Sequence, residues 1–360
     1  MNASSGLKKT KFAAEKNNIL KEALLYQKLA KGQVRCNICQ RRCLITEGKS
    51  GYCQTRINQK GILYTTLYGL VSSVNLDPIE KKPVFHFKPG SHCLSFGTYG
   101  CNFRCLFCQN WQISFEKPVS LSLDNQKLLS PKEALKLALK SKAQSIALTY
   151  NEPAIWLEYS LDLFKLAKKA NLYTIWVTNG YATKENIDLI APYLDVYRVD
   201  LKSFDNHFYQ KLIKIPKAQA IFDTAKYLHQ KYPEVHIECV TNIIPKWNDQ
   251  EKNLQAIGNW ILKNLGPKTP WHLTRFYPDA ELNNIPPTPE KTLLKARKKA
   301  MEQGLKFVYL GNLPVDKEDD TFCPKCGNLA IRRTGYKTEI IGVNHQGYCS
   351  DCQEDLNIKI

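Results

Sequence analysis

The feature that most constrains the fold is a repeated alternation of short apolar segments with longer amphipathic ones between residues 93 and 310. Apolar runs of about five residues predict buried strands, and apolar residues at helical spacing predict the helices that cover them. The predicted strands are 93–97, 145–150, 172–177, 196–201, 236–243, 272–276 and 307–310, and the predicted helices are 131–142, 154–170, 184–191, 205–212, 219–231, 250–265 and 289–303. The pattern predicts an α/β fold, a partial (β/α)6 TIM-like barrel over residues 81–315.

Polar residues follow most of the predicted strands at their carboxyl ends. In parallel α/β barrels the ligand site lies at that end. The polar stretches are 100–108, 150–153, 178–180, 200–202, Asn242 and Arg275. Asp200 and Lys202 are two residues apart and share one side of a strand, which suits a common ligand and equally an internal ion pair. We therefore expect one site at this end of the barrel.

Three cysteines lie within eight residues directly after the first predicted strand: Cys101, Cys105 and Cys108, spaced C-x3-C-x2-C. Thiolates are the side chains that hold soft metals and iron-sulfur clusters. Three thiolates cannot fill a four-iron four-sulfur (4Fe-4S) cluster, so one iron is left for a ligand that the protein does not supply. The triad therefore predicts a cluster with an open position for chemistry.

The N-terminal sixth of the chain predicts a tail followed by a metal-binding module over residues 18–80. Residues 1–17 are polar, Lys-rich and aperiodic, which predicts a disordered basic tail. Apolar residues at helical spacing predict an amphipathic helix over residues 18–31, ended by Gly32. Four thiols follow within eighteen residues: Cys36, Cys39, Cys43 and Cys53. Four thiolates suit structural zinc or a second iron-sulfur cluster; we favour zinc and leave the cluster open.

The C-terminal segment, residues 316–360, predicts a zinc ribbon. Two C-x2-C pairs are separated by 22 residues of β-like sequence: Cys323, Cys326, Cys349 and Cys352. Pairs of this kind joined by hairpins are typical of zinc ribbons. All four positions are filled by thiolates, so the zinc is expected to be structural.

The composition favours a cytoplasmic protein. Eleven of the thirteen cysteines fall into these three sets, which favours metal ligation in a reducing compartment over disulfides. The chain has no apolar run of about 18 residues or more, which predicts that no segment spans a membrane. The N-terminus lacks the apolar core of a secretory signal.

The net charge of +18 is concentrated at one end of the chain. Residues 1–60 hold thirteen Lys or Arg and three acids. A basic segment is the electrostatic footprint of a polyanionic partner, either RNA or an acidic protein surface. A Lys-rich background without any partner is an equally weighted alternative.

The triad in this position closely resembles the cluster-binding loop of the radical S-adenosylmethionine (radical SAM) superfamily, with Phe107 just before its last cysteine. The resemblance implies a 4Fe-4S cluster on the triad with S-adenosylmethionine on the open iron. It implies reductive cleavage of that cofactor to a 5'-deoxyadenosyl radical, which abstracts hydrogen from the substrate. The implied partner is an electron donor such as ferredoxin or flavodoxin.

Further positions resemble the cofactor contacts of this superfamily. The stretches 178–180 and 200–202 resemble those of the activases of glycyl-radical enzymes. The implied cofactor contacts are Phe107, Glu152, Thr178, Asn179, Asp200, Lys202 and His272. A second interpretation of Glu152 is a cap for the helix that begins at Pro153.

A closer resemblance covers roughly residues 20–353. The stretches KEALLYQKL, VRCNICQRRCLITEGKSGYC, DPIEKKPVFHFKPGS, GTYGCNFRCLFCQNWQIS and WHLTRFYPD together resemble the radical SAM enzyme of the AmmeMemoRadiSam system, whose substrate is not established. The implied function is radical chemistry on an unknown substrate. The activase-like stretches favour a protein substrate, RNA modification is the alternative, and a non-enzymatic scaffold is the third hypothesis.

Overall fold

The computed structural model describes residues 20–117, 127–313 and 319–360. Its N-terminal module consists of two small antiparallel sheets, ordered β1-β6-β5 and β2-β3-β4. The strands are β1 (Lys21–Glu22), β2 (Tyr26–Lys28), β3 (Val34–Cys36), β4 (Leu44–Ile45), β5 (Arg56–Gln59) and β6 (Ile62–Thr65).

The predicted helix over residues 18–31 is wrong in the part that the structure describes. Leu25 and Lys31 adopt left-handed backbone conformations with φ of +53° and +57°, which an α-helix cannot contain. Long-range partners take the backbone donors instead: the N–H of Ala23 donates to the carbonyl of Leu63 at 2.8 Å. Strand pairing with β6 thus overrides the helical spacing of the apolar residues. The predicted tail, residues 1–17, lies outside the described residues.

A central eight-stranded sheet follows, ordered β16-β15-β14-β13-β12-β11-β9-β8. Strand β8 runs antiparallel at the edge, and the other seven strands are parallel. The strands of this sheet are β8 (Ser73–Pro78), β9 (His92–Gly97), β11 (Ser145–Leu148), β12 (Tyr173–Thr178), β13 (Val196–Asp200), β14 (His236–Ile243), β15 (Trp271–Arg275) and β16 (Val308–Gly311). Two short strands, β7 (Leu70–Val71) and β10 (Lys127–Leu128), form a separate antiparallel pair. The eight-stranded sheet therefore begins at Ser73, inside the region that the sequence assigned to the N-terminal module.

Helices connect the parallel strands. They are α1 (Trp111–Ser114), α2 (Pro131–Lys140), α3 (Leu157–Lys169), α4 (Lys184–Ile190), α5 (Asn206–Phe208), α6 (Gln219–Lys231), α7 (Glu251–Asn264) and α8 (Glu290–Glu302), with a π-helix over Tyr209–Ile213 and 3-10 turns at Ala30–Gly32, Ile79–Lys81, Pro153–Trp156 and Ala191–Tyr193. Six strand–helix units and a closing seventh strand form the partial barrel, which confirms the predicted fold class.

The parallel strands of this partial barrel are buried on both faces. Every residue of β11 is buried, and so are seven of the eight residues of β14. Strands buried on both faces are what a parallel sheet with helical crossovers requires. Among the described residues, β8 and β16 are the two edge strands of this sheet, and each pairs with one neighbouring strand. None of the described helices is long and apolar enough to cross a membrane.

The C-terminal segment folds as a small antiparallel sheet. It packs against the end of the barrel that lies opposite the triad. Its strands are β17 (Thr321–Phe322), β18 (Leu329–Thr334) and β19 (Lys337–Ile340). Ile331 and Leu356 pack with Phe307 and Tyr309 of the barrel in one buried cluster. Arg333 adds a bond from Nη2 to the carbonyl of Phe85 at 2.8 Å.

Candidate active site

The loop after β9 carries the triad into a cavity at the carboxyl end of the sheet. Gly100 starts the loop with φ of +75°, a conformation that glycine adopts without strain. Its N–H donates to the carbonyl of Ile113 at 2.8 Å, and the N–H of Leu106 donates to the carbonyl of Leu212 at 2.9 Å. The loop is thus fixed to helical segments on both sides.

The three thiols of the triad line one cavity of about 430 Å³. Burial raises the pKa of the Cys105 thiol to about 12, holds that of Cys101 well above its ordinary value and raises that of Cys108 as well. Thiols bind metal as thiolates, so these positions need a positively charged metal centre to become ligands.

The spacing of the triad fits a cluster better than a single ion. Within the described residues, the Sγ atoms of Cys101, Cys105 and Cys108 do not all lie within 4.8 Å of one another. A single tetrahedral zinc, with Zn–S bonds of about 2.3 Å, holds its sulfurs about 3.8 Å apart. A larger centre that contains several irons accepts wider spacing, and the three thiols line one cavity of about 430 Å³, so the donor set and the space present suit a 4Fe-4S cluster.

Five of the seven predicted cofactor contacts line the same cavity. They are Phe107, Thr178, Asn179, Asp200 and Lys202. Lys202 Nζ lies 5.9 Å from the centre of the Phe107 ring. Asn242, at the end of β14, lines the cavity too. The carboxyl ends of the strands therefore meet at one site, as the sequence predicted.

Strand β13 contributes a row of alternating charges. Arg198 and Lys202 both pair with Asp200, Lys202 through Nζ to Oδ2 at 2.6 Å. Burial alone would raise the pKa of Asp200, but the two cations outweigh it and hold the pKa below its ordinary value. Arg198 Nε is buried without a hydrogen-bond partner among the described residues. The row therefore presents one anion between two cations, with a donor left for a ligand.

Glu152 lies behind the cavity wall. One carboxylate oxygen accepts bonds from Thr178 Oγ1 at 2.7 Å and from the N–H of Ala154 at 2.9 Å, and the other accepts from the N–H of Asn179 at 2.7 Å. Burial raises its pKa to about 7, although these bonds oppose the rise. Glu152 does not line the cavity. It caps the turn at Pro153 and positions the residues at the end of β12.

The turn after β12 connects this wall to the triad. Asn179 Nδ2 donates to Asn102 Oδ1 at 2.8 Å and lies 3.9 Å from Cys101 Sγ. Asn179 Oδ1 accepts from the N–H of Tyr181 at 3.1 Å, which closes the turn around Gly180. A thiolate or cluster on Cys101 would therefore have an amide donor beside it.

His272 lies away from the cavity, contrary to its predicted place. It is the second residue of β15, whereas the cavity lies at the carboxyl ends of the strands. Its Nε2 pairs with Glu238 Oε2 at 2.6 Å, and its ring stacks on Tyr309. Arg275, at the other end of β15, donates from Nε to the carbonyl of Thr288 at 2.9 Å.

A second charged group at the cavity was missed by sequence reasoning. Lys82 lines the cavity, although only 3% of its side chain is exposed, and pairs with Asp77 Oδ2 at 2.5 Å. Tyr150 Oη donates to the same carboxylate at 3.0 Å. Arg198 was missed as well. Its position two residues before Asp200 was a usable signal. Lys82 lies in DPIEKKPVFHFKPGS, a stretch that carried the family resemblance but gave no role to this residue.

The four cysteines of the C-terminal segment form a compact group. The Sγ atoms of Cys323 and Cys352 are 3.5 Å apart, and those of Cys326 and Cys349 are 3.6 Å apart. All four sulfurs lie within 4.8 Å of one another, which matches the spacing around one tetrahedral ion. The group fits the predicted zinc ribbon.

Comparison with known proteins decides the family. Residues 96–255, which contain the triad loop and the cavity-lining ends of β12 and β13, match the description "Radical SAM superfamily". The chain belongs to the radical SAM superfamily. The superfamily uses a 4Fe-4S cluster and S-adenosylmethionine, and this radical SAM protein is accordingly an enzyme.

Its relatives include activating enzymes. It is 38% identical over 340 residues to uncharacterized protein MJ0808 of Methanocaldococcus jannaschii, covering 94% of this chain and 99% of that protein. It is 28% identical to the putative glycyl-radical enzyme activating enzyme MJ1632 of the same organism, covering 60% and 77% of the two chains. It is 25% identical to the pyruvate formate-lyase-activating enzyme of Staphylococcus epidermidis, covering 48% and 70%.

Proposed function

We propose that this radical SAM enzyme abstracts hydrogen from a protein substrate that reaches the triad cavity. The observation that carries the proposal is the set of three buried thiols without a fourth, which share a cavity with Asp200, Lys202 and Asn179. When bound at the triad, a 4Fe-4S cluster and S-adenosylmethionine supply one-electron cleavage of a carbon–sulfur bond and hydrogen abstraction.

The chain's own residues would hold both groups in the cavity. Cys101, Cys105 and Cys108 hold the cluster. Asp200 accepts from the cationic amino group of the cofactor, and Lys202 and Arg198 bind its carboxylate. Phe107 packs against the adenine, and Thr178 and Asn179 bind the ribose.

The rim of the cavity supports a macromolecular substrate. Lys81, Gln109 and Asn312 line the cavity and are exposed, so a chain segment has access to the triad from solvent. The named activities of two relatives are activation of other enzymes, which favours a protein as the substrate class. The AmmeMemoRadiSam assignment rests on the sequence stretches quoted above. RNA modification stays a prediction from the basic N-terminal segment.

The first experiment tests the radical chemistry. Anaerobic protein is incubated with S-adenosylmethionine and dithionite, and 5'-deoxyadenosine is measured by mass spectrometry. We expect product from the wild type and from Cys239→Ala, a buried cysteine outside the three sets, and none from Cys105→Ala. Equal product from Cys105→Ala would contradict the assignment.

The second experiment tests the substrate class. Macromolecules are extracted from source cells grown in deuterium oxide, freed of small molecules and added to the same reaction. We expect deuterium in the 5'-deoxyadenosine, lost after protease treatment of the extract and retained after RNase treatment. Loss after RNase alone would replace the protein proposal with the RNA alternative.

A further inference from the structure

The N-terminal module places its four thiols around one small enclosed cavity. The thiols are those of Cys36, Cys39, Cys43 and Cys53. Three of them are buried, and Cys43 is partly exposed. Arg41, Arg56 and Asn102 also line the cavity. Arg56 is paired with the buried carboxylate of Glu158 through bonds of 2.9 and 2.7 Å, so Arg41 is the cation at this wall whose charge has no carboxylate partner among the described residues.

The spacing of these thiols differs from that of the ribbon. Among the described residues, the ribbon cysteines form the one group in which at least three ligand atoms all lie within 4.8 Å of one another. The N-terminal thiols share a cavity, but no three of them form such a compact group. A single zinc needs sulfurs about 3.8 Å apart. The N-terminal set is therefore spaced unlike the zinc-type ribbon, and a centre with several irons accepts four thiolates at wider spacing.

The N-terminal site and the triad cavity are immediate neighbours. Cys101 lines the triad cavity, and the next residue, Asn102, lines the N-terminal cavity. Arg41 Nε donates to the carbonyl of Asn102 at 2.6 Å. A methyl group on Gly100 would lie 2.8 Å from the carbonyl oxygen of Cys53, so the two loops are in backbone contact. The absence of a side chain at residue 100 permits this approach.

We infer that Cys36, Cys39, Cys43 and Cys53 hold a second 4Fe-4S cluster, which passes single electrons to the cluster of the triad. Four thiolates complete the second cluster, so it has no open iron and serves for electron transfer rather than substrate chemistry. The relay role rests on the proposed function, whereas the presence of the cluster does not.

The electron comes from a low-potential one-electron carrier protein. The carrier is oxidised by one electron, the N-terminal cluster is reduced and reoxidised, and the triad cluster gains the electron without any bond forming or breaking. Residues 20–60 hold nine Lys or Arg and two acids. That charge favours an acidic carrier on this side of the molecule.

Metal analysis of a triad variant tests the cluster. The full chain with Cys101, Cys105 and Cys108 all changed to Ala is purified anaerobically, and its iron, sulfide and zinc are measured. For the triad variant we expect about four iron, about four sulfide and about one zinc per chain. For the wild type we expect about eight iron, about eight sulfide and about one zinc per chain. A triad variant with two zincs and no iron would overturn the inference, whatever the activity of the wild type.

A second variant tests the relay. We expect Cys39→Ala to lose the iron of the N-terminal site and to keep the triad cluster, which dithionite still reduces. Its triad cluster, followed by electron paramagnetic resonance (EPR), is expected to be reduced several-fold more slowly by reduced ferredoxin than that of the wild type. The matched control is Cys239→Ala, which is expected to behave as the wild type. Equal rates with ferredoxin in all three proteins would refute the relay.

Discussion

Glu152 organises the site at the residue scale without touching its cavity. Its carboxylate collects three donors from two elements, the turn at Pro153 and the end of β12. The sequence offered two interpretations of this residue, a cofactor ligand and a helix cap, and the geometry is that of the cap. The pattern alone could not decide because both uses place a carboxylate at the end of a strand.

Glu152→Gln is expected to lower the free energy of unfolding by about 1–3 kcal/mol, because one carboxylate oxygen becomes an amide that cannot accept from a backbone N–H. The N–H of Asn179 would be the donor left unpaired. Urea unfolding of the anaerobic protein measures the change. No loss of stability would show that these bonds do not hold the turn.

The pH dependence of stability should also change in Glu152→Gln. Burial raises the pKa of Glu152 from its ordinary 4.5 to about 7, so between these values the folded chain holds a proton that the unfolded chain has released. The free energy of unfolding therefore falls as pH rises through this window. We expect the stability difference between wild type and variant to be larger at pH 5 than at pH 8. A constant difference would contradict the raised pKa.

Asp200 is predicted to hold two cations together. In Asp200→Asn, Arg198 and Lys202 lose their common counter-ion in a largely buried position, and a loss of about 3 kcal/mol in stability is expected. The control is Glu185→Gln, which breaks an exposed pair with Arg42 and is expected to cost about 0–1 kcal/mol. Similar losses in both variants, measured by urea unfolding, would argue against a special role for the row on β13.

At the scale of elements, the strand–helix alternation was predictable because each barrel strand contains a short, mainly apolar segment that lies between helical segments. The strands that replace the predicted N-terminal helix were not predictable. The apolar residues there have helical spacing, but long-range pairing with β6, which only the fold reveals, determines the local structure. The prediction that His272 contacts the cofactor was wrong for a related reason. One end of a strand faces the ligand cavity and the other faces the ribbon, so the place of a residue within the strand decides its role.

The turn after β12 gives a test at this scale. Gly180 has φ of +75°, and an added methyl group would lie 2.8 Å from side-chain carbons of Ile221 and Val199. Gly180→Ala is expected to cost about 1–3 kcal/mol more than Gly266→Ala. Gly266 has φ of +98° but no atom within 4 Å of the added group, so it isolates the backbone contribution. Equal losses in urea unfolding would show that the turn tolerates the methyl group.

At the scale of the whole molecule, three cysteine sets serve one barrel. The ribbon set has the spacing of a single ion and closes the end of the barrel opposite the triad. The N-terminal set adjoins the triad through consecutive residues, Cys101 and Asn102. The sequence predicted all three sets from their spacing. It could not predict that one of them shares a wall with the active site, because that contact depends on the docking of the module.

The most direct test of the central claim, an open iron at the triad, is EPR of the reduced anaerobic protein with and without S-adenosylmethionine. We expect the spectrum of the wild type to change when S-adenosylmethionine is added, because the cofactor binds the iron that the protein leaves without a ligand. Cys239→Ala should show the same change, and Cys105→Ala should show none. A wild-type spectrum that does not respond, or a response that persists in Cys105→Ala, would contradict the account.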